Sequence, residues 1–333
     1  MDFGCGCVLA GYFFEPLVVN TQAKRLQLPV KKLLLVLGVV CTAYAVALLV
    51  WGGSPGALLA SLSVLWSWTG LQAALLCLLN YGLRGVRWRL WMAHYGRRFS
   101  WLGGMRFYLA GYAFTPTPGN IGEAVRGLML ASQPLSTRQS LAIFGAERLA
   151  DLLCLLLLCL PAVWWGLMHG ALGLPRTLEL GLAGGGAVAV LVLLGAAFGY
   201  RARLFLRFAW LQEAWVCMSV RPLIWFALTL LAWAAQGTAV WLLCRALEVH
   251  LQMLTAMGFY AVAMVAGAAS ALPAGLGGTE AVLAGLLVAQ SATPGEALVI
   301  TVVARLLTLW LAVAIGLAAL LYSAAIAKDI TLS

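Results

Sequence analysis

The strongest constraint on this fold is a helix-breaking segment written twice inside apolar sequence. Pro118-Gly119-Asn120-Ile121-Gly122-Glu123-Ala124-Val125 is followed, well downstream, by Arg148. Pro273-Ala274-Gly275-Leu276-Gly277-Gly278-Thr279-Glu280-Ala281-Val282 is followed by Arg305, which stands as far beyond Glu280 as Arg148 does beyond Glu123. Proline removes a backbone donor and fixes φ, and the residue before it avoids the α region. Each segment therefore interrupts any helix that runs through it. A break, a Gly-rich turn, a carboxylate and a distant arginine, repeated in the same order, predict a transporter built from an internal duplication.

The surroundings fix the solvent. Of 333 residues, 63% are hydrophobic and only 10% charged, with a mean hydropathy of +0.97. A water-soluble domain needs more polar cover than that. The expected fold is an all-α, polytopic helical membrane protein, with room for about eight apolar segments of ~20 residues. No polar stretch is long enough for a separate soluble domain. The expected organisation is a cytoplasmic or interfacial leader at 1–32, a single membrane transport domain at 33–325 and a cytoplasmic tail at 326–333. The leader lacks a cleavable signal pattern, because its basic cluster precedes a full-length span.

The net charge of +10 comes from basic residues between apolar segments, so the positive-inside bias explains it better than nucleic-acid binding does. Binding to anionic lipid head groups is a compatible reading. Eight cysteines form no CxxC and no Cys/His ligand set, so neither a disulfide nor a metal site nor any other cofactor is expected. Cys41, Cys77, Cys154, Cys159 and Cys244 fall in or beside apolar runs, where cysteine behaves as a small hydrophobe. Cys5 and Cys7 read as free thiols, with acylation as the alternative.

Full spans are expected at 33–51, 57–83, 140–167, 178–199, 222–244 and 296–323. The second ends in a basic, aromatic stretch with Arg84, Arg87, Trp88, Arg89, Trp91, His94, Arg97 and Arg98, read as an interfacial anchor or, at Arg84, as a guide for an anionic head group. The broken segments run from Phe107 to Leu130 and over 255–290. With Lys24, Arg25, Lys31 and Lys32 inside, two re-entrant hairpins leave nearly all loop arginines on the cytoplasmic side. A full crossing by the first would place Arg201, Arg203, Arg207 and Arg221 outside, against the positive-inside rule. Six full spans and two re-entrant hairpins follow, with both termini cytoplasmic. The first hairpin then enters from the cytoplasm and the second from outside. Repeat one, about 57–168, and repeat two, about 222–323, are thus related by inversion. Phe107-Tyr108 and Phe259-Tyr260 open the hairpins at matching places.

Glu123 and Glu280 are expected in the first turn of a half-helix, where unpaired N–H groups and the dipole favour an anion. Each could cap that turn, but a cap does not explain a distant arginine at the same later position in both copies. Glu147 and Asp151 share a helix face, and Arg148 can reach Asp151. Arg148 and Arg305 are read either as structural partners of these carboxylates or as guanidinium forks for a lipid phosphate. Gly119, Gly122, Gly275, Gly277 and Gly278 allow tight turns whose N–H groups could hold an anion. Helix packing is the alternative reading of them, and Asn120 and Thr279 suit either role.

Read in order, five motifs carry a resemblance. They are Leu79-Asn80-Tyr81-Gly82-Leu83-Arg84-Gly85-Val86-Arg87-Trp88, Pro118 to Arg126, Glu147-Arg148-Leu149-Ala150-Asp151, Pro273 to Glu280, and Arg305. Over about residues 30–325 the chain resembles the flippase-like transmembrane family of lysylphosphatidylglycerol synthases. The resemblance implies a bacterial inner-membrane protein that moves a lipid between leaflets. It implies importance for Arg84, Glu123, Arg126, Glu147, Arg148, Asp151, Glu280 and Arg305. The chain has no aminoacyl-transferase domain of the full synthase, which leaves the lipid open.

The expected function is translocation of an anionic or polyprenyl-phosphate-type lipid, its head group held by the intramembrane Glu/Arg pairs. A membrane enzyme would need a catalytic cluster such as Asp-x-Asp or a His-rich loop, which the sequence lacks. No P-loop argues for direct ATP use. The competing reading is a non-transporting scaffold for a lipid-modifying enzyme. Membrane lipids are the expected partners; a homodimer and an enzyme partner stay open.

Overall fold

Residues 63–117, 123–124, 126, 135–169, 208–270 and 272–332, with 42 and 199, are described by the computed structural model. The leader, the spans expected at 33–51 and 178–199 (but for one residue each), and Pro118, Gly119, Asn120 and Gly122 lie outside the described residues. Among the described residues every regular element is helical.

Helix α1 is Trp68–His94, opened by the Ser67 side chain, which accepts from the Gly70 N–H. Helix α2 (Trp101–Ala110) runs into a 3-10 turn at Gly111–Phe114. Then come α3 (Thr137–His169), α4 (Ala209–Ser219) and α5 (Pro222–Ala246). Helix α6 (Met253–Ala269) and α7 (Gly278–Ala289) flank the second break, a 3-10 turn at Pro273–Gly275. Helix α8 (Pro294–Arg305) starts on a capping box between Thr293 and Glu296. It passes through a π turn at Leu306–Trp310 into α9 (Leu311–Leu332).

Three helical stretches are long and apolar enough to cross a membrane: Thr137–His169, Pro222–Ala246 and Pro294–Ser323. They match the spans expected at 140–167, 222–244 and 296–323. Helix α3 shows why lipid is the right solvent. Its outer face exposes Leu149, Leu152, Leu153, Leu156, Leu157, Leu160 and Trp164, while its inner face buries Ala146, Ala150 and Cys154. Water would penalise a leucine stripe of that length. Small residues inward and large apolar residues outward is the arrangement of membrane helices that pack by close approach.

The second span needs correction. The helix expected to end near 83 continues to His94, and Arg84, Arg87, Trp88 and Trp91 are buried within it. They are not an interfacial anchor. They occupy one face at helical spacing and pack inward, since the buried carboxylates of α3 give the arginines partners. Helix α1 lies along α5, and Asn80 Nδ2 donates to the Ala232 carbonyl at 2.8 Å. Helix α6 lies along α3, α4 covers α3, and α9 covers α2 with its 3-10 turn.

Phe107-Tyr108 and Phe259-Tyr260 are the seventh and eighth residues of α2 and α6. In the second break Ala274, Gly275 and Gly277 have φ of 54°, 66° and 83°, the left-handed region that glycine tolerates and alanine does not. That reversal lets α7 return beside α6. Gln252, just before α6, and Gln290, just after α7, line one groove together with the last turns of α3 and α5. Helix α8 therefore starts at the end of the bundle where α3 finishes.

Candidate functional site

The first half of the site is an ion cluster where α1, α3 and the first broken segment meet. Four arginines, Arg84, Arg87, Arg126 and Arg148, face three carboxylates, Glu123, Glu147 and Asp151. Asp151 is the hub of α3. It accepts from Arg84 Nη2 at 2.9 Å, Arg87 Nη1 at 2.7 Å and Trp233 Nε1 at 3.2 Å. Arg148, one turn back, reaches it at 3.3 Å. Arg87 also donates to Thr229 Oγ1 at 2.9 Å, which ties α5 to the cluster.

Glu123 is held from three sides. Arg126 Nη2 donates to it at 2.6 Å, Thr115 Oγ1 at 2.9 Å and Arg148 Nη2 at 3.4 Å. Arg126 continues to Glu147 at 3.2 Å. Its guanidinium lies over Tyr108 and Tyr112, 4.5 and 5.2 Å from the ring centroids, a favourable place for a desolvated cation. Gly111 makes room, because a Cβ there would collide with the Arg126 side chain. The contacts of Arg126 with residues 108–112, and of Ser140 Oγ with the Ala124 carbonyl, bring the first broken segment back toward the start of α3. Glu123 and Ala124 have 3-10 conformation, where the first turn of a half-helix was expected.

The second half is smaller. Glu280 is the third residue of α7, in its first turn as expected, but it does not cap that helix, whose N-cap is Gly277 without a side-chain bond. Instead Arg305 Nε donates to Glu280 Oε1 at 2.7 Å, and Arg305 Nη2 donates to the Ala274 carbonyl at 2.8 Å. The turn thus uses its strained alanine to aim a carbonyl at the arginine. Thr279 is buried with its hydroxyl against Gly267, away from the cavity described next.

The halves meet across a cavity of about 90 Å³. Its wall takes Arg84, Thr115, Glu123 and Arg148 from the first half and Ala274 and Arg305 from the second, with Tyr81, Tyr112, Trp233, Gln236 and Tyr260 between them. It has room for a few waters, or for a phosphate or carboxylate group. Arg148 stands eleven residues after the start of α3, and Arg305 eleven after the start of α8. At about 1.5 Å per residue both are ~16 Å along their helices, roughly half the thickness of the hydrocarbon core.

Charge does not balance here. Three arginines and one glutamate face the cavity, and the first cluster holds one more guanidinium than carboxylates. The Nε donors of Arg84 and Arg148 are buried without an acceptor among the described residues. Arg148 is the least constrained cation: its side chain is 31% exposed, against 8% for Arg84 and 2% for Arg126 and Arg305.

Of the residues singled out in the sequence, Arg84, Glu123, Arg148 and Arg305 line the cavity. Arg126, Glu147, Asp151 and Glu280 stand behind as their partners. Asn120 lies outside the described residues. Sequence reasoning missed Arg87, Thr115, Tyr81, Trp233 and Gln236. Arg84, Arg87, Trp88 and Trp91 recur at three-, four- and seven-residue spacing, a stripe that marks one helix face. Gln236 and Trp233, on separate helical turns, carried no such signal. Among the described residues no His/Cys/Asp/Glu group has the makings of a metal site.

A polytopic helical membrane protein with guanidinium–carboxylate pairs buried among its helices is the class that this fold and cluster define. The chain belongs to the lysylphosphatidylglycerol synthase TM region family, whose model matches residues 35–316, most of its length. No curated protein matches it.

Proposed function

We propose that this protein translocates a lipid with an anionic, phosphate-type head group between the leaflets of a bacterial inner membrane, without catalysing a reaction on it. The observation that carries this reading is one cavity walled by guanidinium groups from both repeats. A head-group phosphate would bind between Arg84, Arg148 and Arg305, whose planar forks match its oxygens, while the acyl chains stay in the bilayer.

The two broken segments act as re-entrant hairpins of an inverted repeat, with both chain termini on the cytoplasmic side. The shared groove of Gln252 and Gln290 supports a second hairpin that enters and leaves at one face. The starts of α3 and α8 at opposite ends, with Arg148 and Arg305 each eleven residues after the start of its helix, support the inversion. Rocking one repeat against the other would open the cavity to each leaflet in turn. The carboxylates hold the arginines while no head group is bound. On this reading the arginines are structural partners in one stage of the cycle and anion ligands in the next.

The test is leaflet exchange of labelled phosphatidylglycerol and a polyprenyl phosphate in liposomes containing the purified chain. Exchange well above that of empty vesicles is expected for at least one of them. Exchange equal to empty vesicles for both, from protein with intact thermal unfolding, would favour the non-transporting scaffold instead.

A further inference from the structure

Away from the central cavity, a second positively charged hollow opens at the corner between α1 and α2. It has a volume of about 390 Å³ and is lined by Arg89, Ala93, Arg97, Arg98 and Phe99. We infer that this hollow binds the phosphate of an anionic phospholipid from the leaflet at that end of the bundle, as a resident lipid distinct from the one transported.

Four observations converge. Arg89 is held in place before any ligand arrives: Nη2 donates to the Phe99 carbonyl at 2.9 Å and Nη1 to the Ser100 carbonyl at 3.4 Å. Its guanidinium also lies over Trp101, 4.9 Å from the ring centroid. These partners are neutral, so the bonds orient the cation without cancelling its charge. Arg89 and Arg98 enter no ion pair among the described residues, and Arg98 is exposed.

The floor is rigid. Phe99 stacks on the buried Trp88 with centroids 6.1 Å apart and planes 11° from parallel. Its hydrophobic margin points to a lipid rather than a free anion. Trp101 and Leu102, two and three residues beyond Phe99, are 54% and 81% exposed. A tryptophan and a leucine beside fixed arginines suit the boundary where head groups give way to acyl chains.

The volume fits the reading too. It is about four times that of the central cavity, enough for a glycerophosphate head group. A lipid there would bridge α1 to the start of α2, and so brace the entrance of the first broken segment. The inference stands apart from the reading of the central cavity, since it needs neither translocation nor Arg148 or Arg305.

The test uses the purified full chain in detergent, with native mass spectrometry counting bound phospholipid during titration with short-chain phosphatidylglycerol. Matched arms use phosphatidylcholine and inorganic phosphate. Arg98→Gln is expected to weaken the tightest phosphatidylglycerol step about fivefold, and Arg89→Gln/Arg98→Gln at least tenfold, from the usual contribution of a basic residue at an anionic surface. Arg138→Gln, at a half-exposed arginine that lines neither cavity, is expected to leave this step unchanged. Equal binding of phosphatidylcholine, or no effect of the double variant, would overturn the inference. Displacement of the lipid by millimolar inorganic phosphate would show a bare anion site and overturn the lipid assignment.

Discussion

The two Glu–Arg pairs share one sequence spacing and differ in almost everything around them. In the first pair Glu123 and Arg148 are embedded among three more arginines and two more carboxylates, supplied by α1, α3 and the broken segment. In the second, Glu280 and Arg305 have each other and one backbone carbonyl. The first is a cross-braced lock, whose members each serve several partners. The second is a single pair beside two irregular backbone features: a left-handed alanine at 274 and a π turn that begins one residue after Arg305. A duplicated motif need not keep duplicated mechanics. If the chain translocates lipid as proposed, the braced cluster is the part that fixes the head-group site and the single pair the part that moves.

The largest expected effect falls on the lock. Asp151→Ala strips the shared carboxylate from Arg84 and Arg87, which are nearly fully buried. Breaking one side of a buried ion pair costs about 3–5 kcal/mol, so this variant should unfold at much lower temperature in detergent. A wild-type unfolding profile would show that the cluster is not the brace described.

Arg305→Gln should behave differently. It removes one pair yet keeps amide donors near Glu280 and the Ala274 carbonyl, so the protein should stay folded while leaflet exchange falls at least tenfold. Loss of abundance without loss of specific exchange would make Arg305 purely structural. Arg148→Gln should cost least stability among the cluster arginines, under ~1 kcal/mol, because its contacts are long and its side chain is partly exposed. Its effect on exchange should match that of Arg305→Gln. A stability loss as large as that of Asp151→Ala would remove the distinction between loosely and tightly held arginines.

Tyr81→Phe probes the π turn. The Tyr81 hydroxyl donates to the Leu307 carbonyl at 2.9 Å, with the Thr308 carbonyl 3.2 Å away, inside the π turn. Losing that bond should cost about 1 kcal/mol and speed hydrogen exchange of amides near 306–311. Unchanged exchange there would deny that α1 steadies the turn. The smallest effect is expected at Ala274→Gly, where relief of the left-handed strain, about 1 kcal/mol, is largely offset by the flexibility of glycine in the unfolded chain. A large shift of unfolding temperature in either direction would contradict that balance.

Much of this site was legible because membrane burial makes charge expensive, so each intramembrane Arg or Glu announces itself. Arg148 and Asp151, one helical turn apart, had to meet, and they do at 3.3 Å. The breaks were legible from Pro273 and its glycines for the same steric reasons that now place three residues at positive φ. Arg87 was hidden because a helix end rich in Arg and Trp reads equally well as an interface anchor. Only the position of the α3 carboxylates opposite α1 decides it. Helix length was misjudged there for the same reason: hydropathy falls at Arg84 although the helix and its burial continue. Ala274 carried no warning at all, since alanine is unusual in the left-handed region and the Arg305 bond that rewards it comes from a distant helix.

The central claim is that arginines from opposite repeats grip one anion. A double-mutant cycle in the leaflet-exchange assay tests it most directly, with Arg148→Gln, Arg305→Gln and the combined variant in the same liposomes. If both bind one phosphate, each single variant loses exchange at least tenfold, and the combined loss is far smaller than the product of the two. Losses that simply multiply, or a single variant that exchanges lipid at the wild-type rate, would contradict a shared site.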